Sequence, residues 1–227
     1  MARKVALVTG FEPYGGRGSN PSGEVARRLD GSEIDGVAVV GRTFPVSFRV
    51  LAQAIEQALA ELDPVAVIGV GLWPGEATIR IERVAINVAD FEIPDNDGEL
   101  LVDQPLEQTP ATARMATLPL RDIERALLAA GIPAQISSSA GTFLCNATMF
   151  TSLGGLEKNG REGVPCGFIH VPYAPEQVAG MISETREERS LELHQRADFA
   201  SMGVDVMVEA VRVALAVTLA GRTAAAH

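Results

Sequence analysis

Cysteine and histidine are scarce in this chain of 227 residues, which has two cysteines and three histidines. Two cysteines are too few for a disulfide framework, and this usage is typical of proteins from a reducing cytoplasm. His170, His194 and His227 show no ligand-like spacing with one another or with either cysteine. We therefore expect a cytoplasmic protein with no metal site and no cofactor.

Basic residues and long hydrophobic runs are also in short supply. Lys and Arg number 19 against 29 Asp and Glu, so the net charge is −10. A nucleic-acid backbone or an anionic membrane would require clustered basic residues, so we expect neither as a partner. The apolar run at residues 5–9 is too short for a signal-peptide core. The tail at residues 202–220 contains Glu209 and Arg212, which indicates a packed amphipathic helix and not a membrane span.

What the chain does contain is an alternation of apolar strands and amphipathic helices. Apolar runs predict strands at residues 5–9, 37–40 and 65–70, and helical periodicity predicts helices at residues 21–29 and 47–62. This order predicts an α/β fold, because alternating units build a parallel sheet covered by helices on both faces. We expect one domain over residues 1–227, an α/β/α sandwich with a mainly parallel twisted sheet, similar to phosphorylases and hydrolases. Such sheets bind ligands at the carboxyl ends of their strands.

The second half of the chain mixes the same pattern with irregular stretches. Residues 78–88 are predicted to form one extended segment, in which Arg80 and Glu82 share the polar side. An irregular stretch up to residue 117 is long for a compact domain and is expected to cover a site or an interface. The remaining predictions are a helix at residues 118–130, a central strand at 134–138, a helix at 146–153, a loop at 154–155 and 157–163, and a strand at 165–173.

Cys145 lies at the predicted start of a helix, where unpaired backbone N–H groups and the helix dipole favour a thiolate. We therefore expect a lowered thiol pKa and a site for an oxyanion at the same place. The alternative is inert packing, because a lone buried cysteine is more often structural, as we expect for Cys166. His170 ends a predicted strand, where catalytic groups of α/β proteins lie, although a structural histidine would look identical.

Six short motifs follow one another along most of the chain. They are TGFEPYGG at residues 9–16, NPS at 20–22, ERVAIN at 82–87, IPDN at 93–96, AGTFLCN at 140–146 and GFIHVPY at 167–173. Together they resemble the motifs of pyroglutamyl peptidase I, the pyrrolidone-carboxylate peptidases. The resemblance implies a cysteine peptidase that removes the N-terminal pyroglutamyl residue from peptides, and it implies a homotetramer. It assigns Cys145 as the nucleophile, His170 as the general base and then acid, and Glu82 as the residue that orients the histidine.

The resemblance also implies a substrate pocket. Pyroglutamate is a neutral, flat lactam, so an apolar slot would accept it and would exclude a charged N-terminus that must lose its hydration there. Core packing is the alternative reading of the aromatic residues. The expected substrate-binding residues are Phe11, Tyr14, Phe143 and Leu144 as the slot, with the Asn20 side chain and the backbone of Gly71 and Leu72 as polar partners.

Two positions depart from the common bacterial pattern, which has glutamine in place of Leu72 and arginine in place of Glu92. That arginine is thought to assist the oxyanion, so Glu92 is expected to modulate it by opposing the developing charge, unless Glu92 points elsewhere or Arg80 or Arg83 substitutes. These departures leave open a catalytically weakened relative that only binds pyroglutamyl groups. A phosphorylase of similar architecture also stays open, although no cluster of phosphate-binding basic residues is evident.

Overall fold

A seven-stranded sheet forms the centre of the computed structural model, which describes residues 4–188 and 199–225. The strands in this sheet are β1 (Val5–Phe11), β2 (Glu33–Ile34), β3 (Val37–Phe44), β4 (Ala66–Leu72), β5 (Ile79–Glu82), β8 (Ala134–Ser137) and β9 (Cys166–Val171). Their spatial order is β2-β3-β1-β4-β9-β5-β8. Strands β3, β1, β4 and β9 are parallel neighbours, whereas β5 runs antiparallel to β9. The predicted mainly parallel sheet is thus confirmed.

Helices cover both faces of the sheet and complete the predicted α/β/α sandwich. They are α1 (Pro21–Leu29), α2 (Phe48–Leu62), α3 (Leu120–Ala129), α4 (Leu144–Lys158), α5 (Pro175–Glu188) and α6 (Val204–Ala225). One core cluster joins the sheet to α1, α3 and α6, and a second joins its other face to α2 and α4. Within the residues described, no helix is long and apolar enough to cross a membrane.

The predicted extended segment at residues 78–88 is divided between two sheets. Strand β5 ends at Glu82, and the chain then enters a separate hairpin made of β6 (Val84–Ile86) and β7 (Ala113–Met115). The sequence explains the break, because the apolar positions change from odd numbers, at Ile79 and Ile81, to even numbers from Val84 onward. One continuous strand cannot keep both sets on the same face.

Two other predictions were wrong because the structure there is set by contacts between residues distant in the sequence. Strand β8 is the edge of the sheet and not its centre, since it pairs with β5 alone in the main sheet. Gly154 and Gly155 belong to α4 and not to a loop. A Cβ at Gly154 would lie 2.6 Å from the guanidinium carbon of Arg114, so this glycine permits close packing and does not end the helix.

The same contact fastens the β6–β7 hairpin to the back of α4. The Arg114 guanidinium lies 3.9 Å from the centroid of the Phe150 ring and donates a hydrogen bond of 3.2 Å to the Phe150 carbonyl. It also pairs with Glu107, in the loop before β7, at 3.3 Å. Helix α4 therefore supports the hairpin through the contacts of Arg114 with Phe150 and Gly154.

Candidate active site

A cavity of about 450 Å³ opens at the carboxyl ends of β1, β4 and β9. This is the edge at which ligands of α/β sheets were expected to bind. Nine of the residues singled out from the sequence line the cavity: Phe11, Tyr14, Asn20, Leu72, Glu92, Phe143, Leu144, Cys145 and His170. Glu82 and Gly71 are absent from the lining and lie directly behind it, as their contacts show.

Cys145 is on the first turn of α4, which begins after Phe143 and has no side-chain cap. The first backbone N–H groups of the helix therefore have no capping side chain, and Leu144 and Cys145 of this turn line the cavity. A Cβ at Gly71 would lie only 2.6 Å from the Cys145 sulfur, so the thiol packs against the bare backbone of β4. Gly71 is the register partner of His170 on β9. The thiol and the imidazole thus occupy the same face of the sheet.

His170 is held from behind by Glu82. The imidazole Nδ1 lies 2.8 Å from Glu82 Oε1, and both side chains are almost fully buried. A carboxylate at this distance keeps the hydrogen on Nδ1, which leaves Nε2 as the proton acceptor. The antiparallel pairing of β5 with β9 makes this contact possible, because it places Glu82 opposite Phe168, on the same face as His170.

The protonation states differ from those expected at a helix start. Burial, reinforced by the nearby negative charge of Glu82, raises the pKa of the Cys145 thiol to about 12. Burial also lowers the pKa of His170, although Glu82 opposes that shift. The resting site therefore contains a neutral thiol and a neutral imidazole. The predicted lowering of the thiol pKa was wrong, because desolvation of the sulfur outweighs the backbone donors.

Aromatic rings form part of the cavity wall. Phe143 packs on Phe91 with ring centroids 4.6 Å apart, and on Tyr14 at 6.0 Å. The pKa of Tyr14 is raised, chiefly by burial, so the phenol stays neutral. Arg17 lies 5.6 Å from the Tyr14 ring and donates a hydrogen bond to the Tyr173 hydroxyl at 3.0 Å. These contacts give a slot that is apolar but has a polar edge.

The Asn20 side chain makes most of its hydrogen bonds to residues near it in the sequence, Ser22 and Glu12. Its Oδ1 accepts hydrogen bonds from the backbone N–H and the hydroxyl of Ser22, which caps α1. Its Nδ2 donates to the Glu12 carbonyl at 2.9 Å, and one hydrogen of that amide group remains for another acceptor.

The two departures from the bacterial pattern lie in different environments. Leu72 is buried and packs with Tyr173 and Val178. Glu92 is exposed at the rim of the cavity, where solvent screens its charge. Neither residue displaces Cys145, His170 or Glu82.

Several residues of the site escaped the sequence analysis. Trp73, Asp90 and Thr142 line the cavity, and the Thr142 hydroxyl donates a hydrogen bond of 2.6 Å to the Asp90 carbonyl. Asn146 is fully buried beside the thiol; its Oδ1 accepts from Ile86 N at 2.8 Å, and its Nδ2 donates to the carbonyls of Ile86 and Val88. Thr142 and Asn146 fall within the AGTFLCN motif at residues 140–146, which was the local signal available for these two residues.

Among residues 4–188 and 199–225, no group of three or more His, Cys, Asp and Glu side chains is placed to hold a metal ion. His194 and His227 lie outside the described residues.

Comparisons with known proteins point to one family. The pyroglutamyl peptidase family model matches residues 3–220. A pyrrolidone-carboxylate peptidase of Pyrococcus furiosus is 42% identical over 94% of this chain and 97% of its own length. One from Cupriavidus pinatubonensis is 39% identical over 96% and 94%. The solved pyrrolidone carboxyl peptidase of Thermococcus litoralis superposes with a TM-score of 0.86 at 39% identity, covering 95% of this chain and 93% of that one.

Proposed function

Because the chain belongs to the pyroglutamyl peptidase family, we propose that it hydrolyses the amide bond after an N-terminal pyroglutamyl residue of peptides. In this proposal Cys145 is the nucleophile, His170 is the general base and then the acid, and Glu82 orients the imidazole. The observation that carries the assignment is the 2.8 Å contact between Glu82 and His170 behind a cavity that Cys145 lines.

The reaction starts from the neutral pair. His170 Nε2 takes the thiol proton as the sulfur attacks the pyroglutamyl carbonyl carbon, and the imidazolium that forms is stabilised by Glu82. The negative oxygen of the tetrahedral intermediate faces the uncapped N–H groups at the start of α4. The intermediate collapses as His170 returns the proton to the leaving amine. Water, activated by the same imidazole, then cleaves the thioester and restores the thiol, releasing pyroglutamate.

Selectivity for the lactam follows from charge and shape. The slot beside Tyr14 and Phe143 offers ring faces to a flat, uncharged group. An ordinary N-terminal ammonium of similar size would lose its hydration against these rings, while the carboxylates that line the cavity, Asp90 and Glu92, are solvent-exposed. Burial keeps Tyr14 neutral, so its hydroxyl can donate a hydrogen bond to the lactam carbonyl.

The experiment compares two aminocoumarin amides that differ only in the lactam carbonyl. We expect the protein to release aminocoumarin from the pyroglutamyl amide and not from the prolyl amide, whose ring nitrogen is protonated. Cys145→Ser should abolish this turnover, whereas Cys166→Ser should retain it, because Cys166 is buried within β9 and outside the cavity. Equal cleavage of both amides, or full activity of Cys145→Ser, would contradict the proposal.

The alternative of a weakened binding relative has no support in the site. Leu72 and Glu92 leave the three proposed catalytic groups in place, and the relatives compared above carry the name of an active peptidase. We keep as proposals a single catalytic domain over residues 1–227, a cytoplasmic location and a homotetramer. The exposed side chains of Leu100, Val102 and Met115 support association, which light scattering of the purified protein would measure.

A further inference from the structure

Arg80 is the residue on β5 that pairs with His170 in the sheet register. Its Nε donates a hydrogen bond to Glu82 Oε1 at 3.2 Å. The same oxygen is hydrogen-bonded to His170 Nδ1. Arg80 Nη2 donates both to the Ser137 hydroxyl at 2.7 Å and to the Ser139 carbonyl at 3.2 Å. The guanidinium is therefore fixed by four partners, since Glu76 also lies 3.5 Å away.

Arg80 also reaches the imidazole by a second route, through Trp73. The guanidinium carbon lies 3.9 Å from the centroid of the Trp73 ring, which is a close cation–π contact. The Trp73 ring in turn meets the His170 ring edge-on, with centroids 4.9 Å apart and planes at 76°. Phe168 packs against the imidazole at the same centroid distance. Rotation of the imidazole is thus limited by two aromatic rings, and Arg80 holds one of them.

Arg80 matters for the position of the Glu82 carboxylate because, in the part of the chain that the structure describes, only one of the two carboxylate oxygens is hydrogen-bonded. Among the residues described, Glu82 Oε2 is buried and has no hydrogen-bond partner. The position of this carboxylate consequently depends on the two donors that share Oε1, namely Arg80 and His170 itself. A buried carboxylate is also costly unless a cation compensates it, and Arg80 is the cation in contact with it.

We propose that Arg80 is a positioning residue for the reaction: it fixes the Glu82 carboxylate that orients His170, and it holds the Trp73 ring that packs against the imidazole. This proposal rests on the proposed role of His170 as the base. Arg80 does not line the cavity, so it acts through these two residues and not on the substrate. Its removal should affect kcat more than KM.

The charge of Arg80 has a measurable consequence for His170. Glu82 and Arg80 act on the imidazole from β5. The other ionisable side chains that line the same cavity as His170 are Cys145, Tyr14, Tyr173, Arg17, Asp90 and Glu92. Glu82 raises the pKa of His170 and Arg80 lowers it. Removing the positive charge should therefore make the imidazole easier to protonate.

Trp73 provides a direct probe of that protonation, because it is the chain's single tryptophan and touches the imidazole. A protonated imidazole quenches the fluorescence of an adjacent indole, so a fluorescence titration from pH 4.5 to 8 reports the charge of His170. The same titration of His170→Gln identifies the step that belongs to this residue. No turnover is needed for this measurement.

The test compares Arg80→Met, which keeps an unbranched chain over Trp73 without the charge, with Arg80→Lys, which keeps the charge. We expect the titration midpoint, and the acidic limb of kcat/KM against pH, to rise by about 0.5 to 1 pH unit in Arg80→Met and to stay near the wild type in Arg80→Lys. We expect kcat in Arg80→Met to fall about tenfold or more, because a misplaced base costs rate steeply. Arg125→Met removes an exposed arginine that pairs only within α3 and should change neither quantity.

An unmoved midpoint in Arg80→Met, or equal shifts in the methionine and lysine variants, would overturn the proposal. Arg80→Gln supplies the same comparison of charge if Arg80→Met does not fold. Failure of the proposed function is a separate outcome: wild-type protein that cleaves no pyroglutamyl amide would refute the peptidase assignment, whereas the fluorescence midpoints would still show whether Arg80 controls His170.

Discussion

Replacing Gly71 by alanine should inactivate the site with only a moderate loss of stability. The Cβ of alanine would lie 2.6 Å from the Cys145 sulfur and 2.8 Å from the Phe168 ring. Non-bonded carbon atoms prefer separations of about 3.5–4.0 Å. Because both neighbours are too close, the sulfur, the ring or the strand has to move by about 1 Å.

The expected magnitudes follow from that displacement. A misplacement of about 1 Å in a reacting group can cost about 100-fold in rate, and overpacking of a core typically costs about 1–3 kcal/mol. We therefore expect kcat/KM for the pyroglutamyl amide to fall about 100-fold in Gly71→Ala. The free energy of unfolding, measured by urea titration, should fall by about 1–3 kcal/mol.

Gly69→Ala is the matched control on the same strand. Its Cβ would lie 2.4 Å from the Phe168 ring but meets no atom of Cys145 among its nearest neighbours. It should cost a similar amount of stability and much less activity. If the two variants lose activity equally at a temperature where both are folded, then the packing of the thiol against Gly71 is not what positions the sulfur.

Three further predictions concern charge and stability. Alkylation of Cys145 by iodoacetamide, followed by mass spectrometry, should keep accelerating from pH 7 to 10, because the pKa of this thiol is about 12; a plateau below pH 7 would indicate a resting thiolate. Glu92→Arg should raise kcat/KM by a few-fold at low salt and less at high salt, as expected for an exposed charge at the rim, and an unchanged rate would place this side chain away from the oxyanion. Asn146→Ala should lower the free energy of unfolding by about 3 kcal/mol, because three partly buried backbone groups lose their partner. A urea-measured loss below about 1 kcal/mol would show that water replaces the amide.

Local signals predicted the first half of the fold well. Helix α1 has the bounds expected from Asn20 as its cap and Pro21 as its first residue, because both effects act within one turn. Cys145 falls on the first turn of α4 as predicted. The shift of the apolar positions from odd to even numbers between Ile81 and Val84 is the local signal for the end of β5. The prediction of one extended segment at residues 78–88 overlooked this signal.

The rest depends on contacts between residues far apart in the sequence. The antiparallel direction of β5 is set by its pairing with β9, a strand more than eighty positions later, and no local pattern encodes that choice. The pKa of the Cys145 thiol was predicted with the wrong sign because the burial of its sulfur is a property of the assembled core. The stack of Arg80 on Trp73 escaped prediction because it depends on the strand order: Trp73 follows β4 and Arg80 lies on β5, and β9 is inserted between these two strands.

Helix α4 both carries the proposed nucleophile and supports the β6–β7 hairpin. Its first turn presents the sulfur, its buried Asn146 bonds to β6, and its later turns receive Arg114 of the hairpin. A tilt of this helix would therefore move both the Cys145 sulfur and the β6–β7 hairpin. Two hydrogen bonds between Asn87 and Glu107 hold together the ends of the segment that separates these residues. Because that segment carries Asp90 and Glu92 of the cavity lining, changes within it offer a route to altered peptide preference that leaves Cys145, His170 and Glu82 in place.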